Sequence, residues 1–189
     1  TNDDGAFAPG LRALVEALQD LGEITVVAPD REQSGVGSSI SLHHPLRLAQ
    51  LPGDGVPTYT VDGTPADAVI VALGHLLRKK RVDLIVAGIN EGANLGNDIL
   101  YSGTVGAALQ GYFRGIPSLA LSVAPVRDGR FDVAALLARA LVPLMTRQRV
   151  FRHILLNVNV PNQSREEIQG VEITRLARRR YADRVKRGH

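Results

Sequence analysis

Three short segments of this 189-residue chain combine oxygen-bearing side chains with glycine in a way that suits ligand binding. Residues 1–5 have the sequence TNDDG, residues 31–39 have REQSGVGSS, and residues 88–105 have GINEGANLGNDILYSGTV. Carboxylate, hydroxyl and amide oxygens are hard ligands, and glycine lets the backbone approach a ligand closely. Because these donors include no histidine or thiolate, they favour a hard divalent cation, Mg²⁺, Mn²⁺ or Ca²⁺, over zinc.

The elements around these segments are expected to bring them together. Apolar, partly β-branched runs at residues 24–28 and 82–88 are typical of parallel strands buried on both faces, and each precedes one segment. We expect a further strand before TNDDG, upstream of the printed sequence. Carboxyl ends of parallel strands meet at one edge of the sheet, where α/β proteins bind ligands. The predicted metal ligands are Asp3, Asp4, Ser34 and Asn90.

Helices and strands alternate along most of the chain, which predicts a mostly parallel sheet covered on both faces. Strands are predicted at residues 24–28, 59–61, 82–88, 118–123, 154–160 and 171–176, with a break at Gly88. Helices are predicted from Pro9 to a stop at Gly22 and at residues 64–77, 104–113 and 131–147, the last interrupted at Pro143. The alternation over residues 40–51 and the turn at 53–57 indicate a short β-hairpin at the sheet edge.

The helix predicted near Thr104 begins with Ser102, Gly103 and Thr104, whose N–H groups suit an anion. A metal site beside a phosphate site indicates phosphoryl chemistry. A metal-bound water would attack the phosphate, or a carboxylate of Asp3 or Asp4 would instead be the nucleophile and give an aspartyl-phosphate.

Other polar residues have structural interpretations. Thr64, Pro65 and Asp67 form a helix-capping pattern, so Asp67 is not assigned to catalysis. His43 and His44 would point to opposite faces of a strand and therefore suit a shared metal poorly. Asn97 and Asp98 are given only a turn-forming role.

Composition and charge exclude several classes of protein. The chain has no cysteine, hence no disulfide, which fits a cytoplasmic protein. No membrane span and no signal peptide are expected, because no uncharged apolar run is long enough for a span and the first residues given are polar. Seven of the 22 basic residues but only one of the 19 acidic residues lie from Arg175 onward. Since the rest of the chain is net acidic, a nucleic-acid-binding surface is not expected.

Several motifs in fixed order closely resemble the survival protein SurE family of metal-dependent nucleotide phosphatases. They are TNDDG, APG at residues 8–10, VVAPDREQSG, GTPAD, DLIVAGINEGANLG and YSGTVGAA. The match is dense over residues 1–123 and looser up to RRRY at residues 178–181.

This resemblance implies a Rossmann-like three-layer α/β/α fold and a cytoplasmic homodimer or homotetramer. It implies hydrolysis of nucleoside 5′-monophosphates, and also suggests 3′-nucleotidase and exopolyphosphatase activities. One divalent cation per subunit, Mg²⁺ or Mn²⁺, with Ca²⁺ as a substitute in a crystal, would be held by the four ligands predicted above. Asp3 and Asp4 would be catalytic. The implied phosphate contacts are Asn94, Ser102, Gly103 and Thr104, with Asn2 nearby.

The expected organisation is one α/β domain over residues 1–177 and a basic C-terminal tail that starts at residues 178–189 and continues beyond them. Two other functions remain compatible with the residues. One is a binding module that holds a metal and a nucleotide without turnover. The other is a glycosyltransferase, although 189 residues leave little room for an acceptor domain.

Overall fold

The computed structural model describes residues 1–53, 55–124, 129–148 and 153–177. The α-helices are α1 (Pro9–Leu18), α2 (Pro65–Val71), α3 (Gly103–Tyr112) and α4 (Phe131–Arg147), with a π-helical turn at Ala72–Leu76 and a 3₁₀ turn at Gly96–Leu100. The strands are β1 (Val26–Pro29), β2 (Leu48–Gln50), β3 (Thr58–Val61), β4 (Ile85–Glu91), β5 (Ser118–Ala124) and β6 (Leu155–Pro161). None of the helices in these ranges is long and apolar enough to cross a bilayer.

The described strands form two three-stranded sheets. One has the order β1-β3-β2 and the other the order β4-β5-β6. β1 pairs with β3 in parallel, β2 pairs with β3 antiparallel, and β4, β5 and β6 are all parallel. The predicted mostly parallel sheet and the predicted hairpin, formed by β2 and β3, are both confirmed.

Helices cover both faces of the β4-β5-β6 sheet. Leu14 of α1 and Ala138 of α4 pack with Leu121 on one face. Val69 of α2 and Val105 of α3 pack on the other face. Alternate residues of a strand point to opposite faces, so a strand buried on both faces is apolar throughout, as β5 nearly is. The result is the predicted three-layer α/β/α arrangement.

The first residues of the chain lie between the two sheets. Gly88 N–H donates to the Thr1 carbonyl at 2.8 Å, which holds this segment against β4. Ala6 N–H donates to Pro29 O at 2.9 Å, and Gln33 N–H donates to Asp3 O at 2.7 Å, which hold it against β1 and the loop after it. This placement brings the two aspartates of TNDDG to the carboxyl ends of both β1 and β4.

The predicted break at Gly88 is wrong, because β4 continues to Glu91. Its pairing with β5 changes register between Ala87 and Asn90, and the Gly88–Ile89 peptide is cis. Gly88 has φ +138°, and a Cβ there would come within 2.3 Å of the Leu121 carbonyl oxygen. Glycine therefore permits the irregularity that lets the strand reach the site.

The predicted interruption of α4 at Pro143 is also wrong. Proline lacks the N–H that would bond to the carbonyl four residues earlier. The helix nevertheless continues through Pro143, with Ala138 before it and Met145 after it both buried in the core. Packing on both sides of the proline outweighs the loss of one hydrogen bond.

The predicted strand at residues 171–176 is absent. This segment has no regular secondary structure, and the side chains of Val171 and Ile173 are exposed. Alternating apolar residues form a strand only when another strand pairs with them, and no described strand does so here. The predicted tail at residues 178–189 lies outside the described residues.

Candidate active site

The candidate site is a shallow cavity of about 280 Å³ at the carboxyl ends of the strands. Three predicted metal ligands and two predicted phosphate contacts line it. Because these donors come from three separate segments of the chain, their meeting depends on the fold rather than on sequence proximity. The lining residues with polar side chains are Asp3, Ser34, Asn90, Glu91, Asn94, Asp98, Tyr101 and Ser102.

Asp3 forms the buried floor of the cavity at the start of α3. Its side chain is 4% exposed, and the Thr104 hydroxyl donates a hydrogen bond to its Oδ1. A Cβ added at Gly103 would lie 2.8 Å from the Asp3 Cβ, so only glycine lets the helix start this close. Burial raises the pKa of Asp3, while the bond from Thr104 and nearby backbone N–H groups act to lower it.

Asp4 lies beside Asp3 but is not part of the cavity lining. Its Oδ2 accepts a long hydrogen bond, 3.4 Å, from the N–H of Glu91 at the end of β4. Burial raises the pKa of Asp4 to about 6, and the negative charges of Asp3, Glu32 and Glu91 contribute to this rise. Several carboxylates therefore crowd one corner of the site, where a bound divalent cation would relieve their repulsion.

Ser34 lies in the loop after β1 and is exposed at the cavity rim. Its hydroxyl donates to Glu32 Oε1 at 2.8 Å. The loop is held at one end by the bond between Gln33 and Asp3, and at the other by Gly37 N–H, which donates to Tyr101 O at 2.8 Å. With its hydroxyl hydrogen engaged by Glu32, the lone pairs of Ser34 Oγ are left to face a cation.

Asn90 belongs to the part of β4 beyond the register change and is 9% exposed. Its Nδ2 donates to the Gly92 carbonyl at 2.6 Å. This bond assigns the amide so that Oδ1 remains as the acceptor, and Oδ1 is the atom that binds a hard cation.

Asn94 is held more firmly than any other predicted phosphate contact. It is 7% exposed, and its Nδ2 donates to Ser122 Oγ at 2.9 Å. Its N–H donates to Asn159 Oδ1 at 2.7 Å, and its carbonyl accepts from Asn157 Nδ2 at 2.9 Å and Asn159 Nδ2 at 3.1 Å. The sequence interpretation missed Ser122, Asn157 and Asn159, although asparagine at alternate positions of a strand was a visible signal.

Ser102 and Thr104, the two polar residues at the start of α3, differ in position, because only Ser102 lines the cavity. Ser102 is the N-cap, and its Oγ accepts from Val105 N–H at 3.1 Å, which leaves the hydroxyl hydrogen for another acceptor. Thr104 is fully buried and is absent from the cavity lining. Its hydroxyl contacts Asp3, so in this structure it supports the carboxylate from behind.

Asn2 lies outside the cavity lining and is fully buried. Neither Oδ1 nor Nδ2 of Asn2 has a hydrogen-bond partner among the described residues. Buried amides are normally satisfied, so an unpaired amide next to Asp3 fits a site that binds a polar ligand.

Two further expectations concern residues outside the site. The capping pattern is confirmed, because Asp67 N–H donates to Thr64 Oγ1 and Thr64 N–H donates to Asp67 Oδ2. His43 and His44 are exposed and lie in a bend, not in a strand. Within the described ranges, no group of three or more His, Cys, Asp or Glu side chains is arranged to hold a metal, so any cation site there must include neutral oxygens.

The chain is similar to known proteins over nearly its whole length. A family model described as "Survival protein SurE" matches residues 1–183. The 5′-nucleotidase SurE of Vibrio cholerae serotype O1 is 46% identical over 194 residues, which cover all of this chain and 76% of that protein. The 5′-nucleotidase SurE of Desulforudis audaxviator is 51% identical over 192 residues, which cover 99% of this chain and 73% of that protein.

A solved structure is similar in fold as well. The crystal structure of the SurE protein from Aquifex aeolicus superimposes with a TM-score of 0.88 at 45% identity. The superposition covers 97% of this chain and 73% of that chain.

Proposed function

Because the chain belongs to the survival protein SurE family, we propose that it is a divalent-metal-dependent phosphatase that hydrolyses nucleoside 5′-monophosphates to nucleoside and phosphate. The curated relatives compared above are named 5′-nucleotidases. The observation that carries the proposal is the single cavity lined by both cation-type donors, such as Asp3, and phosphate-type donors, such as Asn94.

The donors fit a hard cation. Asp3, Ser34 and Asn90 supply a carboxylate, a hydroxyl and an amide oxygen from three separate segments, and Asp4 adds a second carboxylate beside them. Four protein oxygens leave positions for water and substrate on an ion of six or more ligands. We propose Mg²⁺ or Mn²⁺ on this basis. Such a cation supplies positive charge that offsets the negative charge on the phosphoryl oxygens.

The residues of the chain bind and orient the phosphate. Asn94 Nδ2 carries two hydrogens, and its bond to Ser122 uses one of them. The Ser102 hydroxyl and the first N–H groups of α3 are further donors, and the helix start favours negative charge. We propose that these groups hold the phosphate against Asp3 and Asp4. Either carboxylate would orient the attacking water, so that the bond from phosphorus to the 5′ oxygen breaks and the nucleoside leaves, or would itself displace the nucleoside to give an aspartyl-phosphate that water then hydrolyses.

The decisive experiment measures phosphate released from adenosine 5′-monophosphate. We expect release to stop after treatment with a chelator and to return when Mg²⁺ or Mn²⁺ is added. The 3′-monophosphate and polyphosphate, assayed in parallel, define how far the substrate range extends. Metal-dependent binding of the nucleotide without release would indicate a binding module instead of an enzyme.

We also propose that residues 1–177 form one domain and that the protein is a cytoplasmic homodimer or homotetramer. The absence of cysteine supports a reducing compartment. The exposed apolar side chains of Val171, Ile173 and Leu176 support an assembly that covers them. Light scattering coupled to gel filtration tests the assembly, and a monomer at micromolar concentration would refute it.

A further inference from the structure

Strand β6 carries asparagine at two alternate positions, Asn157 and Asn159, within the sequence LLNVNVP. Residues two apart on a strand share a face, so both asparagines face the side of the sheet that α3 covers. Asparagine is depleted in strands, where β-branched residues fit better. The Oδ1 of Asn157 is moreover buried and without a hydrogen-bond partner among the described residues. Both facts lower the stability of the strand and point to a role outside the strand.

The register of the sheet aligns these asparagines with the site. Asn90 of β4 pairs with Ser122 of β5, and Ser122 pairs with Asn159 of β6. A row of three polar residues thus crosses the carboxyl end of the sheet. One end of the row is a predicted metal ligand, and the loop that contains Asn94 lies over the other end.

The contacts hold Asn94 in both position and orientation. The single amide of Asn159 accepts from the Asn94 N–H and donates to its carbonyl, and therefore holds the peptide groups on both sides of Asn94. Asn157 Nδ2 adds a second donor to the same carbonyl. Ser122 fixes the side-chain amide. Asn94 is thereby fixed at both its main chain and its side chain.

We propose that Asn157 and Asn159 are positioning residues that hold Asn94 in the geometry needed to bind a phosphate group. This inference rests on the proposed function only in requiring a ligand with a phosphate. Neither asparagine lines the cavity, so neither contacts the ligand directly. They therefore affect the affinity for phosphate by holding Asn94 in place.

The experiment compares Asn159→Leu and Asn157→Leu, which keep approximate side-chain size but remove the hydrogen bonds. Asn162→Leu is the matched control, because Asn162 lies three residues further along and its Oδ1 accepts from Arg130 N–H instead. The affinity for inorganic phosphate in the presence of Mg²⁺ is measured by calorimetry. KM and kcat for a nucleoside monophosphate and the melting temperature are measured on the same samples.

We expect Asn159→Leu to weaken phosphate affinity about 10-fold and Asn157→Leu about 3-fold. Asn159 makes two hydrogen bonds to Asn94, whereas Asn157 makes one. KM should rise more than kcat falls, because Asn94 would contact the phosphate in the ground state as well as in the transition state. Asn162→Leu should change phosphate affinity less than about 2-fold. Wild-type phosphate affinity in Asn159→Leu would overturn the inference.

A double-mutant cycle separates positioning from general destabilisation. In an Asn94→Ala background there is no side chain to position, so Asn159→Leu should weaken phosphate affinity by less than about 2-fold more. If the double variant instead loses phosphate affinity by the product of the two single-variant factors, the inference is overturned. If Asn159→Leu does not fold, Asn159→Ala serves the same cycle, since it removes both hydrogen bonds without adding a charge.

The outcomes for the two proposals are distinguishable. Phosphate binding that depends on Asn94 and Asn159 in a protein that releases no phosphate from any nucleotide would refute the enzyme and retain the positioning role. Normal turnover in Asn159→Leu with unchanged KM would refute the positioning role and retain the enzyme. A wild-type protein that neither binds phosphate nor releases it would refute both.

Discussion

The two loops that meet in the cavity are held in contrasting ways. The end of β4 and the loop after it are buried at Asn90 and Asn94, and Asn94 alone takes part in four hydrogen bonds with β5 and β6. The loop after β1 is exposed at Ser34, whose hydroxyl bonds to Glu32 two residues away.

This contrast assigns different tasks to the two halves of the site. Buried side chains with several partners keep one geometry at the cost of conformational freedom, whereas an exposed hydroxyl can adapt to its ligand. We interpret the β4 side as the fixed surface against which the phosphate is placed. We expect the Ser34 side to complete the proposed cation site and to tolerate substitution without loss of stability.

The largest effect is expected from Asp4→Asn, which removes a charge from the carboxylate pair with almost no change of shape. Hydrolysis of adenosine 5′-monophosphate should fall by at least about 100-fold, because a neutral amide is a weaker cation ligand and cannot act as nucleophile. Relief of repulsion with Asp3 should leave the melting temperature unchanged or raise it. Near-normal turnover would remove Asp4 from the catalytic machinery.

Thr104→Val should have the next largest effect, since it removes the hydroxyl that donates to the buried Asp3. Leaving that carboxylate without the donor should reduce kcat/KM about 10-fold and destabilise the fold by about 1–3 kcal/mol. Thr58→Val is the control, because its hydroxyl donates to Val56 O away from the site. Equal losses of activity in both variants would mean that the Thr104 effect is only structural.

Ser34→Ala tests the adaptable half of the site. We expect the Mg²⁺ concentration for half-maximal activity to rise about 3-fold to 10-fold, because one neutral oxygen donor is lost. Since Ser34 is exposed, the melting temperature should stay within about 1 °C of wild type. Ser39→Ala, in the same loop and with its hydroxyl bonded to Val36 O, should change neither quantity. A lower melting temperature with an unchanged Mg²⁺ concentration for half-maximal activity would contradict the division between the two halves of the site.

Asp67→Asn should have the smallest effect on activity. It makes the same chemical change as Asp4→Asn, but at a residue outside the site. Asp67 is 1% exposed and accepts hydrogen bonds from Thr64 N–H and from both the N–H and the hydroxyl of Ser41. Weakening this cap should destabilise the fold by about 1–2 kcal/mol while kcat/KM stays within about 2-fold. A large loss of kcat/KM in a stable variant would make Asp67 part of the site.

The sequence predicted the features that depend on local chemistry. The cap at Thr64 and Asp67 follows from side-chain reach to nearby N–H groups, and the donors at strand ends follow from a rule about parallel sheets. The continuation of β4 past Gly88 could not be predicted, because glycine weakens a strand and the residues of β5 that pair with Asn90 and Glu91 are distant in sequence.

The positions of Asn157 and Asn159 show the same limit. The pattern N-V-N is also that of an ordinary strand with one exposed face. Only the pairing of Asn159 with Ser122, and of Ser122 with Asn90, places these amides beneath the loop of Asn94. Long-range register therefore determines their role, and a single sequence does not contain it.

The central claim is that a cation and a phosphate occupy this one cavity together. The most direct measurement is the ³¹P relaxation of inorganic phosphate bound to the protein in the presence of Mn²⁺, with Mg²⁺ as the diamagnetic reference. We expect strong paramagnetic relaxation in the wild-type protein and its loss in Asp4→Asn. Bound phosphate whose relaxation is the same with Mn²⁺ as with Mg²⁺ would contradict it.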